Sequence, residues 1–99
     1  MSPASIAVHV VIRGRVQGVG YRAFVEDEAQ SRGIRGWVRN RRDGSVEAVF
    51  SGDAATVEDM IAACRKGPWG ARVDGIDRRE ATADEFGPRG ATFAVLPTA

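Results

Sequence analysis

Apolar and polar residues alternate from Ile6 to Arg13, with Ile6, Val8, Val10 and Ile12 set against Ala7, His9, Val11 and Arg13. That period of two, carried by β-branched residues, predicts a half-buried strand that Gly14 ends. The period then lengthens. Tyr21, Phe24, Val25 and Ala29 share one face of a helix spanning Tyr21 to Arg32, and Gly33 supplies the left-handed stop. Ile34 to Arg41 and Ser45 to Ser51 read as two strands joined by a hairpin at Asp43 and Gly44. A two-residue turn there sets Trp37 opposite Phe50. A three-residue turn over Arg42, Asp43 and Gly44 sets Val38 opposite Ala48 and keeps Val38 and Val46 on one face, and is preferred. Asp53 suits the N-cap of a second helix, Ala54 to Lys66, whose Val57, Met60, Ile61 and Cys64 form one stripe closed by Gly67 and Pro68. Strands near Ala71 to Thr82 and Thr92 to Leu96 complete the chain, joined by a charged loop.

The order β-α-β-β-α-β, with a possible short fifth strand, predicts an α+β ferredoxin-like split βαβ fold. Two helices would cover one face of an antiparallel sheet. At 99 residues, 43% hydrophobic and 27% charged, the composition fits one globular domain over residues 1–99, with 1–5 as a loose tail. A single cysteine, Cys64, excludes an internal disulfide and any multi-cysteine zinc site. No apolar run is long enough to span a membrane and no secretory signal is visible, so a cytoplasmic protein is expected.

The net charge of +1 conceals an asymmetry. Eight arginines face only Glu26, Asp27 and Glu28 between Arg13 and Arg42, whereas the rest of the chain carries six basic and ten acidic groups. This suggests a local anion site without the broad positive field of a nucleic-acid binder. Arg22 sharpens the point. It stands in the first turn of the first helix, where the macrodipole disfavours a cation, directly after a loop with glycines at 18 and 20. Loop amides, a helix N-terminus and a guanidinium together form a cradle for a tetrahedral anion, most simply phosphate.

The stretch Gly14-Arg15-Val16-Gln17-Gly18-Val19-Gly20-Tyr21-Arg22 resembles the first signature of the acylphosphatase family, with Tyr21 in place of the commoner Phe. Gly33 through Gly44, including Gly36-Trp37-Val38-Arg39-Asn40, resembles the second, and Gly67-Pro68 followed by Ala71-Arg72-Val73 resembles that family's junction after the second helix. Only the loop from Ala83 to Ala91 and the N-terminal tail match nothing in particular. The resemblance implies a metal-free, cofactor-free hydrolase that cleaves acyl phosphates to a carboxylate and inorganic phosphate. It places the phosphate on Arg22 and on the loop Arg15, Val16, Gln17, Gly18, Val19, Gly20 and Tyr21, and it gives Asn40 the attacking water.

The chemistry suits a chain with no evident nucleophile, because phosphoryl transfer is mainly positioning and electrostatic stabilisation. A carboxylate leaving group, with a pKa of about 4, departs without a general acid. A neutral amide at position 40 also avoids the repulsion an aspartate would bring beside an anionic substrate. The implied partners are a small acyl phosphate, with inorganic phosphate or sulfate as competing anions. No nucleic acid or membrane partner is expected, and the expected state is a monomer.

Several residues have plainer readings. Arg15, Arg39, Arg41 and Arg42 read as solvated or steering charges, His9 as structural, Cys64 as a buried thiol, Trp37 as packing, and Trp69 as packing the junction after the second helix. An RNA-binding module shares the topology, but its aromatic motif belongs on the third strand, where only Phe50 is aromatic. A small-ligand regulatory domain could also reuse the fold, though it would not call for a glycine loop ending in arginine. An acylphosphatase-like domain serving carbamoyl transfer in hydrogenase maturation belongs to a much longer chain.

Overall fold

The computed structural model describes residues 5–86 and 93–99. Its elements are β1 (Ser5–Arg15), α1 (Tyr21–Ser31), β2 (Arg35–Asn40), β3 (Val46–Asp53), α2 (Ala54–Lys66), β4 (Arg72–Glu80), a 3₁₀ turn (Ala83–Phe86) and β5 (Ala94–Val95). The strands lie in the order β4-β1-β3-β2-β5. Each helix therefore connects two strands separated by a third, which is the split βαβ arrangement. The first four strands pair antiparallel, and β5 joins β2 in parallel, so the sheet is mixed.

Parity decides the core. Val8, Val10, Ile12, Val38, Val46, Ala48 and Phe50 are buried on one face, against Tyr21, Val25 and Ala29 of α1 and Val57, Met60, Ile61 and Cys64 of α2. The hairpin adopts the three-residue turn, with Val38 opposite Ala48 and Gly44 left-handed at φ 94°. Asp43 Oδ1 braces it by accepting from the Ser45 N–H at 2.9 Å and the Ser45 hydroxyl at 2.6 Å. α1 ends in a Schellman motif, in which Gly33 N–H donates to Gln30 O and Ile34 N–H to Ala29 O. Asp53 caps α2 by accepting from Thr56 N–H at 3.1 Å.

Two expectations for β1 are corrected. Strand β1 does not stop at Gly14 but runs to Arg15: the register against β4 shifts there, with Asp74 of β4 as the extra, bulged residue, and Gly14, at φ 130°, leaves room for the β4 backbone, which a Cβ would strike at Arg72 O. Nor is β1 buried on one side only, since Val8 to Ile12 are all buried. The reason is the 3₁₀ turn, which packs on the sheet face opposite the helices. There Trp37 Nε1–H donates to Glu85 O at 2.6 Å, and Arg79 pairs with the Glu85 carboxylate. The sequence does carry a signal for this turn, the Thr82-x-x-Glu85 spacing of a capping box, of which the glutamate half forms: Glu85 Oε1 accepts from Thr82 N–H at 2.9 Å, while Glu85 N–H donates to the backbone O of Thr82. Of the expected tail, residues 1–4 lie outside the described residues and Ser5 opens β1. Residues 87–91 of the unmatched loop and Thr92 of the last expected strand also lie outside them. No helix among the described residues is long and apolar enough to cross a membrane.

Candidate active site

The loop between β1 and α1 is shaped by two left-handed glycines, Gly18 at φ 73° and Gly20 at φ 76°. No non-glycine residue in the described chain has positive φ, so handedness alternates along residues 17–21. That alternation turns successive N–H groups toward one side and makes a concave anion-binding nest. Gly20 is also the N-cap of α1. It has no side chain to cap the helix, and the first turn holds no acidic residue, so its N–H groups stay available at the positive end of the dipole. Buried Val16 and half-buried Val19 fasten the loop to the core.

Arg22 follows at the second position of α1 and is half-buried. With Val16, Gln17, Gly18, Gly20, Tyr21 and Asn40 it lines one open cleft of about 510 Å³. Arg15 is exposed at the end of β1, and neither it nor Val19 lines the cleft. Tyr21 contributes only its backbone there, because its phenol is buried and donates to Cys64 O. Burial pushes the Tyr21 hydroxyl well above its ordinary value, reinforced by Cys64. The Cys64 thiol is likewise pushed up by burial, to about 12, and is inert. Gln17 turns its side-chain amide away from the nest, donating to Arg41 O and Ser45 O at 2.8 Å each.

Asn40 ends β2, directly before the hairpin turn, and its backbone O accepts from Ala99 N–H at 3.0 Å. Its side-chain Oδ1 is closed off from bulk solvent and has no hydrogen-bond partner among the described residues. A buried acceptor left without a donor costs about 1–3 kcal/mol, so its persistence beside the nest calls for an explanation.

Three residues of the cleft were not singled out from the sequence, Ala23, Glu26 and Val95. Glu26 had a signal, four positions after Arg22 on the same helical face. Val95 had none, because a two-residue parallel strand leaves no periodicity. Among the described residues no group of three His, Cys, Asp or Glu could hold a metal ion.

The remaining candidates lie elsewhere. His9 Nε2 is 2.7 Å from Glu47 Oε2 on the sheet face covered by the 3₁₀ turn. Arg39 donates to Glu47 at 2.7 Å and lies 4.8 Å from the Trp37 ring centre. Desolvation raises the Glu47 pKa, but the bonds from His9 and Arg39 outweigh it and hold the carboxyl below its ordinary value. Phe50 is buried in the core and Trp37 beneath the 3₁₀ turn, so neither is a platform for stacking bases. Trp69 corrects the expectation made for it: it is 99% exposed. It sits at the tip of a turn closed by Ala71 N–H donating to Pro68 O, and Gly70, at φ 90°, reverses the chain immediately after it.

Residues 8–94 match the family model described as Acylphosphatase. A protein of Bradyrhizobium diazoefficiens named acylphosphatase is 58% identical over 93 residues, covering 92% of this chain and 94% of that one. Another from Rhodopseudomonas palustris, also named acylphosphatase, is 52% identical over 96% of this chain and 98% of its own. The crystal structure of acylphosphatase from Bacillus subtilis superposes with a TM-score of 0.82 at 34% identity, over 92% of this chain and 98% of that one.

Proposed function

The chain belongs to the acylphosphatase family of hydrolases, and from that premise we propose how its cleft cleaves the carboxyl–phosphate bond. The phosphoryl group lies in the nest formed along residues 17–21, with the Arg22 guanidinium spanning two of its oxygens. Asn40 accepts a hydrogen bond from a water and holds it in line with the bond to the leaving carboxylate. The water oxygen forms the new bond to phosphorus as the bond to the acyl oxygen breaks, and the carboxylate leaves with that electron pair. The water's proton ends on the phosphate. Charge building on the equatorial oxygens meets donors already in place, which is where most of the acceleration in phosphoryl transfer originates.

The observation that carries this reading is the orphaned Oδ1 of Asn40 in the cleft that also holds the nest and Arg22. An acceptor without a donor among the described residues is ready for one from a water. The test is Asn40→Ala. Water positioning matters only at attack, so kcat and kcat/KM should fall together by about 10²-fold or more, with phosphate inhibition retained. The variant should keep its thermal stability, since it loses no hydrogen bond made by Oδ1. Full activity, or activity lost through unfolding, overturns the assignment. On the same reading residues 1–99 act as one domain, a cytoplasmic monomer that works without metal and is inhibited competitively by phosphate and sulfate.

A further inference from the structure

We propose that Gln17 is a positioning residue for this hydrolysis, setting the separation between the phosphate nest and the water held by Asn40; the proposal rests on the reading of Asn40 given above. The nest belongs to the β1–α1 loop and Asn40 to the end of β2, so covalent connection alone does not fix their distance. Gln17 bridges them. Its amide nitrogen donates to Arg41 O and Ser45 O, both at 2.8 Å. Arg41 follows Asn40 directly, and Ser45 closes the other side of the same turn. These are the only side-chain hydrogen bonds among the described residues that join residues 16–20 to residues 40–45.

The hairpin does not need this bridge. Ser45 O already accepts from Arg41 N–H at 2.9 Å, and Arg41 O from Gly44 N–H at 3.1 Å. Asp43 braces the turn from within. What the bridge adds is a fixed register between two halves of the cleft. In-line attack depends on the distance and angle between water and phosphorus, and a misplacement of ~1 Å can cost ~10²-fold in rate. The two donors suit this task and no other common side chain offers them at this length. Asparagine is one methylene short, and glutamate would set a carboxylate against two carbonyl oxygens. The Gln17 side chain is spent on the hairpin, so it acts on the reaction through Asn40 rather than on the substrate.

The test is Gln17→Met, which keeps the length, removes both donors and leaves each carbonyl its hairpin partner. Thermal unfolding checks that the fold is retained. Steady-state hydrolysis of an aromatic acyl phosphate and inhibition by inorganic phosphate are measured for Gln17→Met, Asn40→Ala and the double variant. We expect kcat to fall ~10- to ~100-fold in Gln17→Met with phosphate inhibition unchanged. Added to Asn40→Ala, the same substitution should cause no further loss, because no positioned water remains to misplace. Wild-type kcat, losses that multiply in the double variant, or phosphate inhibition lost in step with kcat would each overturn the proposal. An active Asn40→Ala protein refutes the water assignment first and takes this inference down with it.

Discussion

Replacing Arg22 with alanine should cripple activity and at the same time make the protein more stable. The guanidinium stands at the second position of α1, whose N-terminus carries about half a unit of positive charge. The first turn holds no acid, and among the described residues Arg22 forms no ion pair. A cation so placed costs ~0.3–1 kcal/mol, and alanine is at least as good a helix former. Loss of contact along the half-buried arginine stem offsets part of that gain. The net should be about 0.5 kcal/mol in favour of the variant, a rise in Tm of ~2–4 °C at this chain length. Against this, deleting a charged, two-pronged donor from the phosphoryl group should cost ~10²–10³-fold in kcat/KM, about 3–4 kcal/mol. Ligand linkage supplies a third readout. Phosphate at a hundredfold its Kd stabilises a binding-competent fold by about 2.7 kcal/mol, and the variant should lose most of that shift. The assay pairs steady-state hydrolysis with thermal unfolding, in anion-free buffer and again with phosphate. A variant that turns over normally, or that melts lower than wild type without anions, refutes the placement of Arg22 as a cation held against the dipole for its ligand.

Turnover should survive excess EDTA, and abolition by chelator with recovery on adding magnesium would count against the mechanism. Gly20→Ala meets no steric obstacle, since among the described residues no atom beyond its two chain neighbours lies within 4 Å of the added Cβ, but the φ of 76° strains an L residue by ~1–2 kcal/mol. It should lower Tm and weaken phosphate inhibition together; unchanged inhibition would separate this glycine from the nest. Docking of the 3₁₀ turn should depend on acid. The Arg79 guanidinium and the Thr82 backbone hold the Glu85 carboxyl down to about 2, from an ordinary 4.5. A depressed carboxyl contributes its full stability above pH 4.5 and loses it as pH falls through about 2. Trp37 fluorescence in a Trp69→Phe background should therefore be flat down to about pH 5 and change below it, whereas a transition near neutrality would contradict the Arg79–Glu85 anchor.

What could be read in advance follows the range of the interactions involved. The two helix ends were legible because their determinants are local: Gly33 completes a Schellman motif and Asp53 caps its own helix. Register at the hairpin was legible because only one turn length keeps Val38 and Val46 on the core face. Gly14 misled because a glycine in a strand can mean an end or a close approach by a neighbouring strand, and pairing with β4 some sixty residues away decides between them. Trp69 misled because apolar character argues for burial, whereas the turn at Gly70 puts the ring outside. In the cleft, the alternating glycines and the misplaced cation are written in adjacent residues. The orphaned Oδ1 of Asn40 and the bridge from Gln17 exist only after distant segments meet, so no periodicity foretells them.

The cleft is held by partners far apart along the chain: Gln17 with Arg41 and Ser45, Tyr21 with Cys64, and Asn40 with Ala99. Each such link closes a long segment of chain, whose entropy is lost before the contact repays it, so topologies of high contact order fold slowly. No short fragment and no single helix or hairpin contains both the nest and Asn40 in register. A partly folded chain is therefore catalytically silent, and the return of hydrolysis during refolding reports completion of the whole topology rather than the recovery of any one element.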